Sequence, residues 1–112
     1  MNREGPAAKY LARASYTAEG VRGLIKDKPS GRRAAVTKLV ESLGGKLECF
    51  YLAFGSDDVV SIVELPDNGA AAAFSFAVNA AGPAQLSITP LLTVEEADAA
   101  IGKPATYRAP GR

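Results

Sequence analysis

Histidine is absent from the 112-residue chain, cysteine and methionine occur once each, and tryptophan does not occur. Without histidine there is no haem with a proximal His, no His-containing zinc site, and no Ser-His or Cys-His nucleophile pair. The single Cys49 has no intrachain disulfide partner, which points to a reducing compartment. Aromatic residues make up only 7% of the chain, and no apolar run is long enough to span a bilayer. The longest such stretch, Ala70–Ala81, is interrupted by Ser75 and Asn79. The opening MNREGPAA has no apolar core of the signal-peptide kind. The chain therefore reads as soluble and cytoplasmic, with no membrane association and no predicted cofactor or metal.

What is present in quantity is alanine. Hydrophobic residues make up 47% of the sequence, but 21 of them are alanines. The larger apolar residues suffice for one small core in a single domain, with little margin at this length. Charge is balanced overall at +1, yet it divides along the chain. Residues 1–46 carry ten basic and four acidic side chains, whereas residues 47–102 carry eight acidic and no basic ones. The last ten residues add Lys103, Arg108 and Arg112. Such a division signals either a charged partner or complementary elements that meet in the fold.

Periodicity gives the elements. Lys9–Tyr16 alternates as a first strand, with Tyr10, Ala12, Ala14 and Tyr16 on one face. Thr17 is placed to cap a helix bearing Val21, Leu24 and Ile25. Pro29 interrupts this helix, and Ser30 is placed to cap a second stretch striped by Val36, Leu39, Val40 and Leu43. Gly44-Gly45 ends that stretch. Leu47–Phe54 and Val59–Leu65 read as two strands of a hairpin, pairing Phe54 with Val59 and Leu52 with Ser61. One face would carry Phe50, Leu52, Phe54, Val59, Val63 and Leu65; the other would carry Leu47, Cys49, Tyr51, Ala53, Val60 and Ile62. Both faces are mainly apolar, so both should be covered: one by helices, the other most simply by a second copy. Asp67 or Asn68 caps an alanine-rich helix over about residues 69–81, which ends at Gly82-Pro83. Ala84–Leu92 is a fourth strand, placed at an edge by Pro90. Thr93 and Glu96 form a capping box that opens a last helix through about Ile101.

The order βαββαβ with an added C-terminal helix predicts a ferredoxin-like α+β fold, in which helices cover one face of a four-stranded antiparallel sheet. The first strand then lies between the third and fourth, so the basic and acidic halves interleave. Residues 1–8 and 102–112 read as flexible tails around a single domain over 9–101.

Several blocks taken together carry a resemblance: SYTAEG (15–20), the helix through Arg33, Val36 and Leu39, GGKLECFYLAFGSDDVVSIVELPDN (44–68) and TPLLTVEEADAA (89–100). Over about residues 9–101 the chain resembles the GYD domain family. The Gly-Tyr-Asp triplet of that family stands here as Gly55-Ser56-Asp57, with serine in the place of tyrosine. The resemblance implies a dimeric α+β barrel type of fold, in bacterial proteins mostly without an assigned activity. The wider fold group spans cofactor-free monooxygenases, isomerases and haem enzymes, so fold alone does not select a function.

Four residues stand out as candidate ligand-binding positions: Arg13, Tyr16, Tyr51 and Asp57. Arg13 lies mid-strand, where a charge needs a partner, either an anionic ligand group or a carboxylate such as Glu48 or Glu64. Tyr10, Tyr16 and Tyr51 could line an aromatic pocket or simply fill a core or interface. Asp57 and Asp58 could act as an acid–base pair, but hairpin-turn hydrogen bonding is the favoured reading. The basic stretch from Arg22 to Lys38 lacks interleaved aromatics, which disfavours nucleic acid and leaves a solvated or weakly anion-binding face. The leading expectation is a homodimer, or a larger homo-oligomer, that binds a small organic molecule between helices and sheet. Any catalysis would be cofactor-free proton transfer or oxygenation. The alternative is a non-catalytic assembly protein.

Overall fold

A computed structural model describes residues 7–112. The elements run β1 (Ala8–Tyr16), α1 (Ala18–Ser42), β2 (Lys46–Leu52), β3 (Val59–Leu65), α2 (Asn68–Ala81), β4 (Ala84–Leu91) and α3 (Val94–Ile101). The strands form one sheet in the order β2-β3-β1-β4, and every neighbouring pair is antiparallel. This is the ferredoxin-like arrangement, with β1 between β3 and β4. Most of the predicted N-terminal tail lies outside the described residues, and Ala8 already belongs to β1. Residues 102–112 contain neither helix nor strand.

Alternation decides which side of the sheet is covered. Tyr10, Ala12 and Ala14 from β1 share a face with Val59, Ser61, Val63 and Leu65 from β3, and all seven are buried. Val40 of α1 and Ala71 and Phe74 of α2 close over them to form the core. Fully burying side chains such as Leu65, Val63 and Val40 stabilises the fold by about 1.5–3 kcal/mol each. The one polar core side chain, Ser61, donates its hydroxyl to the Ala12 carbonyl at 3.1 Å. Tyr10 reaches the rim of the core, where its hydroxyl donates to Asn68 Oδ1 at 2.7 Å. Burial, aided by the negative charge of Asp67, raises the Tyr10 phenol above its ordinary 10.0.

The helix signals act as the sequence predicts, with one shift. Thr17 caps α1 by accepting from the Gly20 amide at 3.1 Å, Asp67 caps α2 by accepting from Ala70, and Thr93 and Glu96 complete both halves of their capping box. The break in α1 falls at Lys28, whose φ of 67° and ψ of 154° are non-helical, so the second limb begins at Pro29 and not behind a Ser30 cap. The reason is local. A residue before proline is pushed out of the α region, and proline is well suited to the first helical position. Gly44, at φ 82°, then terminates α1 in a conformation that costs glycine nothing.

The hairpin differs from the sequence reading in two ways. Leu52 pairs with Val59 and Phe50 with Ser61, two residues from the predicted register, and Phe54 stands fully exposed beyond β2. Asp58 causes the longer connection: its amide donates to the Ala14 carbonyl and its carbonyl accepts from Ala53, both at 2.8 Å, which draws the loop onto the end of β1. A β-bulge at Glu48 also switches parity, so Leu47 pairs with Val63 and joins the core side, not the face of Cys49 and Tyr51.

Candidate functional site

The helices leave a cleft on the side of the sheet that they cover. Thr17 and Gly20 tie the first limb of α1 to the start of β4, with the Thr17 amide donating to the Pro83 carbonyl at 2.9 Å. Gly20 permits this approach, because a Cβ there would lie 2.3 Å from the Pro83 carbonyl oxygen. The second limb, redirected at Lys28, packs Val36, Leu39 and Leu43 against the core. Between the two limbs and α2 lies an outer cavity of about 430 Å³, lined by Tyr16, Gly20, Gly23, Leu24, Val78 and Ala81 among others. Beneath it an inner chamber of about 100 Å³ reaches the sheet and is walled by residues such as Ala12, Ala14, Val36, Phe50, Phe74 and Leu86. The alanines that inflate the hydrophobic count, and the glycines beside them, are too small to fill this space.

Tyr16, Arg32, Leu39, Val78 and Ala84 line both chambers, and of these only Tyr16 and Arg32 carry polar side-chain groups. Tyr16 is held from both sides. Its amide donates to Asp58 Oδ2 at 2.7 Å, and the next residue is tied to Pro83. Arg32 meets Asp27 across the break in α1 at 3.4 Å, with both side chains more than one-third exposed. Glu19 and Asp27 are the carboxylates at the outer rim. The lining of the cleft is thus mostly apolar, with a few polar groups at its outer rim and at the boundary of the two parts.

The four sequence candidates do not gather at one place. Tyr16 alone lines the cleft. Arg13 and Asp57 meet at 3.6 Å on the opposite, uncovered face of the sheet, and Tyr51 stands on that face two-thirds exposed. Arg13 Nε is buried there without a hydrogen-bond partner among the described residues. Lys9, not Arg13, pairs with Glu48 and with Glu64, the latter at 3.8 Å. The hydrogen bond to Glu48 is the main cause that holds the Lys9 ammonium above its ordinary 10.5, and burial partly offsets it. Asp57 and Asp58 serve separate partners, Arg13 and the Tyr16 amide. Ser56, which stands where the GYD triplet has tyrosine, uses its carbonyl to accept from the Ser15 hydroxyl at 2.8 Å. The whole triplet loop is thereby pinned to the end of β1, one residue from Tyr16. Among the described residues, no helix is long and apolar enough to cross a membrane.

Asp27 and Gly23 were not among the sequence candidates, and Arg32 stood there only within the basic stretch from Arg22 to Lys38. The available signal was the Lys28-Pro29 break, which sets Asp27 and Arg32 on either side of a bend, together with small residues on every element around it.

Two comparisons with known proteins give a match. The NE2512 protein of unknown function from Nitrosomonas europaea, known from a crystal structure, is 17% identical; the match covers 89% of this chain and 97% of that one, with a TM-score of 0.43. No curated protein matches the sequence. The sequence profile of the GYD domain matches residues 10–101, which includes every strand and helix except the first residues of β1. The chain belongs to the GYD domain family.

Proposed function

We propose that this protein binds a small organic molecule in the cleft between α1, α2 and the sheet, and that it works as a homodimer in the manner of the dimeric α+β barrels. The observation that carries the ligand reading is the pair of adjoining cavities under the bent α1, which share Tyr16 and Arg32 in their walls. Dimerisation is supported by the other face of the sheet. Leu11, Val60, Ile62 and Cys49 lie there without a helix above them. A cytoplasmic location is consistent with the unpaired Cys49. Any catalysis would be cofactor-free proton transfer or oxygenation, with the Tyr16 hydroxyl and the rim carboxylates as the groups at hand.

The test uses Gly23, where an added Cβ would meet no atom within 4 Å. Gly23→Leu extends a side chain into the cavity without a clash at its base. The fluorescent neutral probe N-phenyl-1-naphthylamine should bind the natural protein saturably and lose that binding in Gly23→Leu, with the melting temperature maintained. Saturable binding unchanged by Gly23→Leu, or none in either protein, contradicts the reading.

A second reading, a non-catalytic assembly protein, is favoured by α3. This helix is fully capped but buries none of its residues, and Val94 and Ile101 are more than 70% exposed. An eight-residue helix gains little stability by itself, so a neighbouring copy is its natural support. Assembly with a cleft that excludes all small probes would favour this reading over the first.

A further inference from the structure

We infer that the cleft selects a small monocarboxylate with a short apolar tail, with Arg32 as the anchor for its carboxylate and the inner chamber as the seat of that tail; this rests on the cleft being a ligand site. The chemistry of the two shared polar residues is asymmetric. A guanidinium can only donate hydrogen bonds, whereas a phenol can donate or accept. A ligand group that engages Arg32 and Tyr16 together must therefore be an acceptor. A carboxylate satisfies both and matches the guanidinium fork with two parallel bonds.

Arg32 is available for this role. Among the described residues its only partner is Asp27, at 3.4 Å and with 47% of the Asp27 side chain exposed. A pair so exposed contributes at most about 1 kcal/mol and yields readily to a better-placed anion. The rim also sets a limit on charge. Glu19 and Asp27 both line the outer cavity, so one negative charge can be matched by Arg32 while a second would face two carboxylates. A phosphate dianion is disfavoured on that ground.

The inner chamber limits the size of the tail. Its volume of about 100 Å³ admits only a short apolar group. Apart from Tyr16 and Arg32, the only polar side chain on its wall is Ser61, whose hydroxyl is already committed to the Ala12 carbonyl. Nothing else inside the chamber solicits a polar tail.

Three probes with one chain and different heads test this: hexanoate, 1-hexanol and hexylamine, titrated by NMR into the 112-residue protein, Arg32→Met and Gly23→Leu. Hexanoate should bind about tenfold more tightly than either other probe, as a charge-assisted pair warrants. Arg32→Met should remove that preference while leaving 1-hexanol binding within about twofold, which also shows that the variant is folded. Gly23→Leu should abolish binding of all three. Equal affinity for hexanoate and 1-hexanol, tighter binding of hexylamine, or a hexanoate preference that survives Arg32→Met overturns the anchor. If 1-hexanol binds and Gly23→Leu blocks it while hexanoate gains nothing, the cleft remains a ligand site and the carboxylate assignment falls. If none of the three binds, both fall.

Discussion

The two faces of the sheet are built from the same strands and differ in what they do. The face under the helices holds Tyr10, Ala12, Ala14, Val59, Val63 and Leu65, carries no charged strand residue, and satisfies the hydroxyls of Tyr10 and Ser61 internally. The open face interleaves Leu11, Val60 and Ile62 with Lys9, Arg13 and Glu64, and its ion pairs join the basic first strand to acidic partners from β2, the hairpin loop and β3. The first face supplies most of the stability available within one chain. The second holds apolar surface that a single chain leaves unused, and its charges are matched locally, so they do not oppose a second copy. The difference also explains the cleft: on the stable face, small residues at Ala12, Ala14 and Ala84 meet a bent helix, and space is left over between them.

Substitutions on the two faces should separate these roles. Leu65→Ala removes a fully buried side chain and should lower the unfolding free energy by about 2–5 kcal/mol in chemical denaturation, whatever the protein concentration. Ile62→Ala, one strand-face over, should cost clearly less in dilute solution and should instead weaken self-association in sedimentation velocity. An equal loss from both would erase the distinction between the faces. Gly20→Ala, at the point where α1 meets β4, forces a Cβ to within 2.3 Å of a backbone oxygen and should cost about 1–3 kcal/mol. It should also reshape the outer cavity and weaken probe binding.

Tyr10→Phe should cost about 1 kcal/mol through the lost hydrogen bond to Asn68. The raised phenol also gives a pH signature. The folded state keeps Tyr10 protonated at a pH where the unfolded chain has begun to lose that proton. The contribution is therefore complete below pH 10 and is lost as the pH rises through the folded value. Denaturation midpoints across this alkaline range should fall less steeply in Tyr10→Phe than in the natural protein. The smallest effect belongs to the open face: Arg13→Met breaks a half-buried pair at 3.6 Å, relieves the unpartnered Nε, and should change stability by about 1 kcal/mol or less.

The sequence carried the elements because their signals are local. Thr17, Asp67 and the Thr93–Glu96 box are caps that act within one turn, and the alternation of β1 and β3 survives unchanged in the sheet. Interleaving of basic and acidic segments followed from the strand order, and the Lys9 and Arg13 pairs are its outcome. The hairpin register was not legible in the same way, because Asp58 binds β1, a strand more than 40 residues earlier, and no turn rule contains that contact. The bulge at Glu48 was hidden for a similar reason: with Leu47 and Cys49 both apolar, alternation cannot tell which of them faces the core. A site between helices and sheet was expected from the family resemblance, but of the residues named for it only Tyr16 lines the cleft. Its polar residue Arg32 sat within a basic run that reads as solvated, and only the bend at Lys28 brings it over the inner chamber.

Amide chemical-shift mapping during a hexanoate titration tests the central claim most directly. The account predicts shifts that saturate together and cluster at Gly20, Gly23, Ala35, Val78 and Ala84, around the cleft beneath the bent α1. Shifts centred instead on Leu11, Ile62 and Ser87, across the open face of the sheet, would contradict it.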